Sequence, residues 1–200
     1  MACMIPSTAR SPDQTAVRFP REIAAAVTLP AAAASLVAPG AGTCTRTGAI
    51  AIVTACGALA TRLALVPFLV ARDLPDPRSV RGFDPSDGPV PPALLGLGPE
   101  PDRDRVRTAG DRCAEAWRVW RAEDRLGDSA VGAAGALALG AWCAWALGSS
   151  ARAETRARYA LETRADDPLA GLVLRSVLAG SSPTWSDRPV TGADRDRRRS

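Results

Sequence analysis

The stretch GALALGAWCAWALGSS, residues 135–150, lies inside a run from Ser129 to Ser150 that carries no charged side chain. A helix needs about 20 apolar residues to cross a bilayer, so the run is long enough to span one. It is also long enough to be the central helix of a bundle. Composition separates the two. Val131, Leu137, Leu139 and Leu147 are the strong membrane formers and contribute about −1 to −2.5 kcal/mol to insertion. The remainder is mostly Ala, Gly and Ser, with glycines at 132, 135, 140 and 148. Small side chains let neighbouring helices approach closely, and Trp142 and Trp145 fill the gaps between them. The run therefore reads as a core helix ending at Gly148.

The flanks supply partners. In DRVRTAGDRCAEAWRVWRAEDRLG (104–127), Val106, Ala109, Cys113, Trp117 and Trp120 recur three or four apart. That spacing puts them on one helix face, with Arg and Glu around the rest. Gly127 is a natural stop, and Asp128 or Ser129 can cap the next helix. Downstream, residues 151–165 form a third helix with Glu154, Arg158 and Glu162 four apart, a solvated ion-pair face. Asp167 caps and Pro168 opens a fourth, PLAGLVLRSVLAG, which ends at Gly180. Four helices joined by short polar turns imply antiparallel neighbours.

Proline sets the outer limits. Of 17 prolines, eight fall between Pro75 and Pro101 and none between there and Pro168. Proline breaks helices from within, so the gap marks where helices form. The fold class expected is mainly α: a small antiparallel bundle, or tetratricopeptide-like hairpins, in the C-terminal half. The N-terminal half is expected to be largely irregular with one hydrophobic element. The division expected is a low-complexity, disordered extension over 1–47, a hydrophobic segment over 48–71, a Pro/Gly-rich linker over 72–102, a helical domain over 103–185, and a disordered Arg/Asp tail over 186–200.

Two N-terminal segments carry membrane signals. Arg18 and Arg21 precede an apolar stretch with Ala32-Ala33-Ala34 as a small-residue site, a faint signal-peptide shape. Glu22 and Pro30 interrupt it, so a disordered extension is the reading taken. In GAIAIVTACGALATRLALVPFLVA (48–71), ten large apolar side chains give about −3 to −6 kcal/mol towards insertion, and Arg62 costs about 3. The balance is near zero. A buried element with Arg62 at its edge explains the segment as well.

All 25 basic residues are Arg, against 21 acidic ones, and the chain has no Lys, His or Asn. This is the vocabulary of a GC-rich genome. The net charge of +4 is spread over intermixed signs. Such mixing gives no dedicated anion-binding face. The RDRRRS tail is the one dense basic patch, but Asp187, Asp194 and Asp196 interleave with it and no aromatic platform is near. Nucleic acid is not the expected partner. Cys3, Cys44, Cys56, Cys113 and Cys143 form no short pairs, which argues against zinc and against a disulfide framework. Reduced, buried thiols in a cytoplasmic protein are expected.

The stretch AWCAWALGSSARAETRARYALETRADDPLAGLVLRSVLAGSSPTW (141–185) resembles the C-terminal end of an actinobacterial family known as domain of unknown function 4192. The shared elements are an Ala/Trp-rich helix over 141–148, Ala160-Leu161-Glu162, Asp167-Pro168, a Leu-rich helix over 169–178, and a Pro-Trp-like ending at Pro183 and Trp185. The likeness covers about a quarter of the chain and extends further if 103–128 is included. The span from Gly148 to Pro168 is about one turn longer than is usual in that family. Of the family's α/β part, only the run from Ala64 to Leu69 offers a faint echo. The resemblance implies helical hairpins and no activity.

Without His or Lys, the usual general bases, Schiff-base formers and phosphate clamps are missing. No phosphate-binding loop or dinucleotide fingerprint is present. The carboxylate pairs Glu123-Asp124 and Asp166-Asp167 sit at helix ends beside Arg and read as caps and solvated charges. Cys113 and Cys143 read as core. No catalytic, cofactor-binding or metal-binding residue is assigned, and no cofactor is expected. The function expected is that of a non-enzymatic α-helical module acting through protein–protein packing. The alternatives are a membrane-associated protein anchored through 48–71, and a truncated or mis-framed remnant of a longer member of the family.

Overall fold

The computed structural model describes residues 19–39, 44–86, 88–123 and 129–186. Among these it is helical, without strands: α1 Pro20–Val37, α2 Arg46–Ala55, α3 Leu59–Val70, α4 Arg103–Ala122, α5 Ala130–Ala146, α6 Ser150–Thr163 and α7 Pro168–Leu178. Two short 3-10 turns, Pro77–Ser79 and Pro92–Leu95, interrupt the segment between α3 and α4.

The run read as a core helix is α5, and every residue from Gly132 to Ala146 in it is buried. No single helix among the described residues is long and apolar enough to cross a membrane; α2 and α3 pass only as a pair, bent by 115° at their junction. The small residues of α5 admit two different neighbours. A Cβ at Gly135 would run into the Cys56 carbonyl oxygen at the α2–α3 corner. Further along, a Cβ at Gly140 would lie 3.1 Å from Cys113 Cβ, and one at Gly110 of α4 would lie 2.8 Å from Cys143 Cβ. Gly110-x-x-Cys113 and Gly140-x-x-Cys143 thus interlock, each cysteine seated on the other helix's glycine.

The helix boundaries follow local chemistry. The Asp102 carboxylate accepts from the backbone N–H of Asp104 and Arg105, both at 3.0 Å, and opens α4. These bonds hold its pKa below the usual carboxylate value, the one from Arg105 first. The Asp167 carboxylate caps α7, accepting from the backbone N–H of Leu169 and Ala170, as its position before Pro168 predicts. Gly148 ends α5 in the left-handed region, with positive φ. Glycine adopts that conformation without a steric penalty. Ser149 N–H then closes onto the Ala144 carbonyl at 2.9 Å. Gly127, the expected stop of α4, lies outside the described residues.

The N-terminal half departs from expectation. The Ala-rich stretch read as a disordered extension or leader forms α1, with Pro20 at its first position and Pro30 inside it. Ala25, Leu29, Ala32, Ala33 and Leu36 recur at helical spacing and are buried. Tertiary packing of that face outweighs the poor propensity of the proline. Pro67 likewise sits within α3. The half therefore holds three helices where one hydrophobic element is expected. They join the rest: Arg112 of α4 donates to the Ser35 carbonyl of α1 at 2.9 Å, and Arg46 at the start of α2 pairs with Glu123 at 2.6 Å.

The Pro-rich segment 72–102 also departs from the linker reading. Val80, Ala93 and Leu94 are buried. Phe83 N–H bonds the Ala60 carbonyl of α3 at 2.9 Å. The end of α5 is wrapped from both sides: Trp142 Nε1 donates to Leu94 O at 3.2 Å, Trp145 Nε1 to Ser181 O at 2.9 Å, and Trp185 Nε1 to Ala146 O at 2.8 Å. Thr184 N–H reaches Gly96 O at 2.9 Å and closes the wrap. The expected burial of Trp142 and Trp145 holds, but their indole N–H groups bond outside the α-helices, to the 3-10 turn at Leu94 and to Ser181 beyond α7.

Candidate functional site: an aromatic cleft between α4 and α6

The stripe on α4 leaves the core along its length. Val106, Ala109 and Cys113 are fully buried, whereas Trp117 and Trp120 are half-buried. Those two rings, with Arg121, form one wall of an open cleft. Tyr159, Glu162 and Thr163 of α6 form the other, and Ala130 at the start of α5 is the floor. The cleft encloses about 430 Å³.

Its aromatic side is held in place by hydroxyls. Trp117 Nε1 donates to Thr163 Oγ1 at 3.2 Å, and that hydroxyl donates to the Tyr159 carbonyl at 2.8 Å. Trp120 Nε1 donates to Ser129 Oγ at 2.6 Å. With both indole N–H groups satisfied internally, what the Trp rings offer a guest is their faces. Trp117 and Tyr159 sit with centroids 5.7 Å apart and planes tilted by 40°. The Arg121 guanidinium lies 5.1 Å from the Trp117 ring centroid. This is a cation–π contact, and it fixes the charge on the wall.

The charges at the rim divide into engaged and free. Arg118 pairs with Glu115, and Arg158 pairs with Glu154 at 2.7 Å. Arg121 and Glu162 form no ion pair among the described residues, so the expected Glu154–Arg158–Glu162 ladder stops after its first rung. Among the described residues, the cleft thus presents one guanidinium on α4 and one carboxylate on α6 that form no ion pair, together with three aromatic rings. The Thr163 hydroxyl is committed to structure.

The acidic pairs and thiols weighed in the sequence lie elsewhere. Glu123 is held ionised by Arg46, whose hydrogen bond lowers its pKa; Asp124 lies outside the described residues. Asp166 pairs with Arg164 at 2.6 Å at the surface. Asp167 is buried against Arg62, which is itself buried and not at the edge of its element as expected. Cys56, Cys113 and Cys143 are fully buried, and burial raises each thiol's pKa, for Cys56 and Cys143 to about 12. Burial and the raised pKa favour the neutral thiol, the form a core side chain takes. The basic tail and Cys3 lie outside the described residues. Among the described residues, no group of three or more acidic or Cys side chains is placed to hold a metal ion.

A second cavity, about 360 Å³ between α3 and the Pro-rich segment, is lined by Leu63, Phe68, Val80 and Phe83 and offers no free charge except Arg81 at its margin. In a third, shallow one, Asp102 is committed to its cap and Asp104 to Arg107. The aromatic cleft was not legible as a site, because Trp117 and Trp120 share the spacing of core residues. The one available signal was that two Trp and an Arg fall at the solvent end of an amphipathic stripe.

Comparison with protein-family models, with curated proteins and with solved structures finds no match to this chain.

Proposed function

We propose that this chain is a non-enzymatic α-helical module that acts through protein–protein packing, and that the cleft between α4 and α6 is where it receives its partner. The observation that carries this reading is the pairing of half-buried Trp117 and Trp120 and exposed Tyr159 with Arg121 and Glu162, which form no ion pair among the described residues, in one concavity. Trp, Tyr and Arg are the residue types that dominate binding energy at protein interfaces. Leaving Tyr159 exposed and Trp117 and Trp120 only partly buried forgoes part of the stabilisation that full burial would give. That is a large concession in a chain with five Trp, one Tyr and three Phe. The resemblance over 141–185 agrees with this reading, since it brings helical hairpins and no chemistry. A reducing, cytoplasmic setting is part of the proposal and is supported by the unpaired thiols of Cys44, Cys56, Cys113 and Cys143.

The test is selection of a displayed random-peptide library against the full chain. A recurring sequence pattern is expected, lost with Tyr159→Ala and with Trp120→Ala, while circular dichroism shows the helical content retained. Selection that yields no recurring pattern, or a pattern indifferent to both substitutions, refutes the cleft as the binding surface.

A further inference from the structure

We infer that the cleft's occupant is an aromatic side chain of a protein partner, flanked by a carboxylate on the side facing α4 and by a guanidinium or ammonium group on the side facing α6. This rests on the reading of the cleft as a partner site and adds the partner's chemistry. Three observations carry it. The first is size. The enclosed volume stands near the lower end of the range typical of ligand pockets. That suits one ring with its neighbouring backbone and is small for a dinucleotide-sized group.

The second is the open ring surface. Arg121 covers one face of Trp117, so the unoccupied aromatic surface belongs to Trp120 and Tyr159. A guest ring gains edge-to-face or offset-stacked geometry there beyond what its buried area gives an aliphatic side chain.

The third is charge. A guanidinium stacked on an indole keeps its N–H donors pointing outward in its plane, preorganised for a carboxylate. Nothing among the described residues answers it, and nothing answers Glu162. A guest of one sign only is attracted by one wall and repelled by the other. A guest carrying both signs about a ring is attracted by both, and each mismatched charge costs on the order of tenfold in affinity.

The experiment titrates the full chain with capped five-residue peptides, Asp-Gly-Phe-Gly-Arg and the reversed Arg-Gly-Phe-Gly-Asp. Controls carry Asn and Gln in place of the charges, or Leu in place of Phe. Binding is read from the NMR indole N–H signals of Trp117 and Trp120. One polarity is expected to shift both signals and to bind about tenfold more tightly than the neutral and the Leu controls. The double variant Arg121→Glu with Glu162→Arg is expected to prefer the other polarity. Should that variant misfold, Glu162→Gln alone is expected to remove most of the charge preference. Equal binding of charged and neutral peptides, or an unchanged polarity after the swap, overturns the inference and leaves the cleft standing as a partner site. Silence of both indoles towards these peptides, while library-selected peptides move them, does the same. Silence towards every peptide removes both.

Discussion

Arg62 and Asp167, 105 residues apart, meet inside the fold: Arg62 Nη1 lies 2.9 and 2.8 Å from the two carboxylate oxygens. Both side chains are shut off from solvent. Asp167 Oδ1 serves at the same time as the cap of α7, and Arg62 Nε reaches the Ala58 carbonyl at 3.4 Å. The contact ties α3 to the start of α7, the last helix of the bundle. Removing two such charges from water costs several kcal/mol per ion, so the pair contributes little net stability against well-packed apolar groups. Losing one member strands the other, and that is where the energy lies.

Asp167→Ala is therefore expected to destabilise the fold by about 3–5 kcal/mol, through the stranded guanidinium, with about 1 kcal/mol more from the lost cap. Arg62→Met is expected to cost nearly as much. Combining Arg62→Met with Asp167→Asn, which keeps a capping oxygen, is expected to cost clearly less than the two single changes added together. Urea denaturation at neutral pH measures all three. An Asp167→Ala protein as stable as the parent contradicts the buried pair.

The interlock of Gly110 with Cys143 predicts an inverted helix rule. Replacing an interior helical Gly by Ala ordinarily stabilises by up to about 1 kcal/mol. Here the new methyl meets Cys143 Cβ at 2.8 Å, with Arg156 Nη1 at 3.1 Å. Gly110→Ala is expected to destabilise by about 1–3 kcal/mol, the usual range for overpacking. Cys143→Gly, which vacates the space, should couple to it, so that the double change costs less than the two single changes added together. Gly171 in α7, where only the end of Arg175 is near, is the control and should tolerate Ala.

The buried thiols predict a fold that weakens in alkali. Burial raises the pKa of Cys56 and of Cys143 to about 12, and raises that of Cys113 as well. An unfolded thiol ionises at about 8.5. A group raised in the folded state contributes stability that is fully present below its unfolded pKa and is lost as pH rises towards the folded one. Each such thiol removes about 1.4 kcal/mol per pH unit in that window, so three together remove about 4. Denaturation profiles under reducing conditions should be level from pH 7 to 8 and fall steeply by pH 10. A level profile to pH 10 would mean that the thiols reach solvent.

Trp142 and Tyr159 should separate core from cleft. Trp142 is wholly buried and bonded to Leu94 O. Trp142→Ala is expected to cost about 3–5 kcal/mol. Trp142→Phe, which loses the hydrogen bond and leaves a cavity in place of the fused ring, is expected to cost less than Trp142→Ala, about 2–3 kcal/mol. Tyr159→Ala, at a residue 43% exposed, should change stability by less than either. Calorimetry on the three variants ranks them, and an exposed-residue effect equal to that of Trp142→Ala would mean the cleft is part of the core.

The C-terminal helices were legible because each boundary has a local cause: Asp102 and Asp167 as caps, Gly148 and Gly180 as left-handed ends, and a proline-free interval between. The central position of α5 was legible too, from small residues beside two Trp. The N-terminal helices were not. α1 holds Pro30 and few large apolar side chains on its buried face, so its helicity depends on Leu29 and Leu36 finding the other helices, which no local pattern announces. The wrap of residues 92–96 and 181–185 around α5 rests on hydrogen bonds such as Thr184 N–H to Gly96 O, 88 residues apart. Arg62 was read at an edge because a lone charge in an apolar run has no visible partner until Asp167 is brought to it. The cleft escaped because the free state of Arg121 and Glu162 depends on which neighbours the packing gives to Arg118 and Arg158.

A ribosome makes this chain from its N-terminus, at about 5–20 residues per second. Arg62 is thus made 105 residues ahead of the carboxylate that neutralises it. At that pace the interval is about 5–20 s. During that time α3 holds a charge it cannot bury, and for most of it the corner formed with α2 has no α5 to close against. Arg62 thus gains its carboxylate only when Asp167, at the start of the last described helix, has been made.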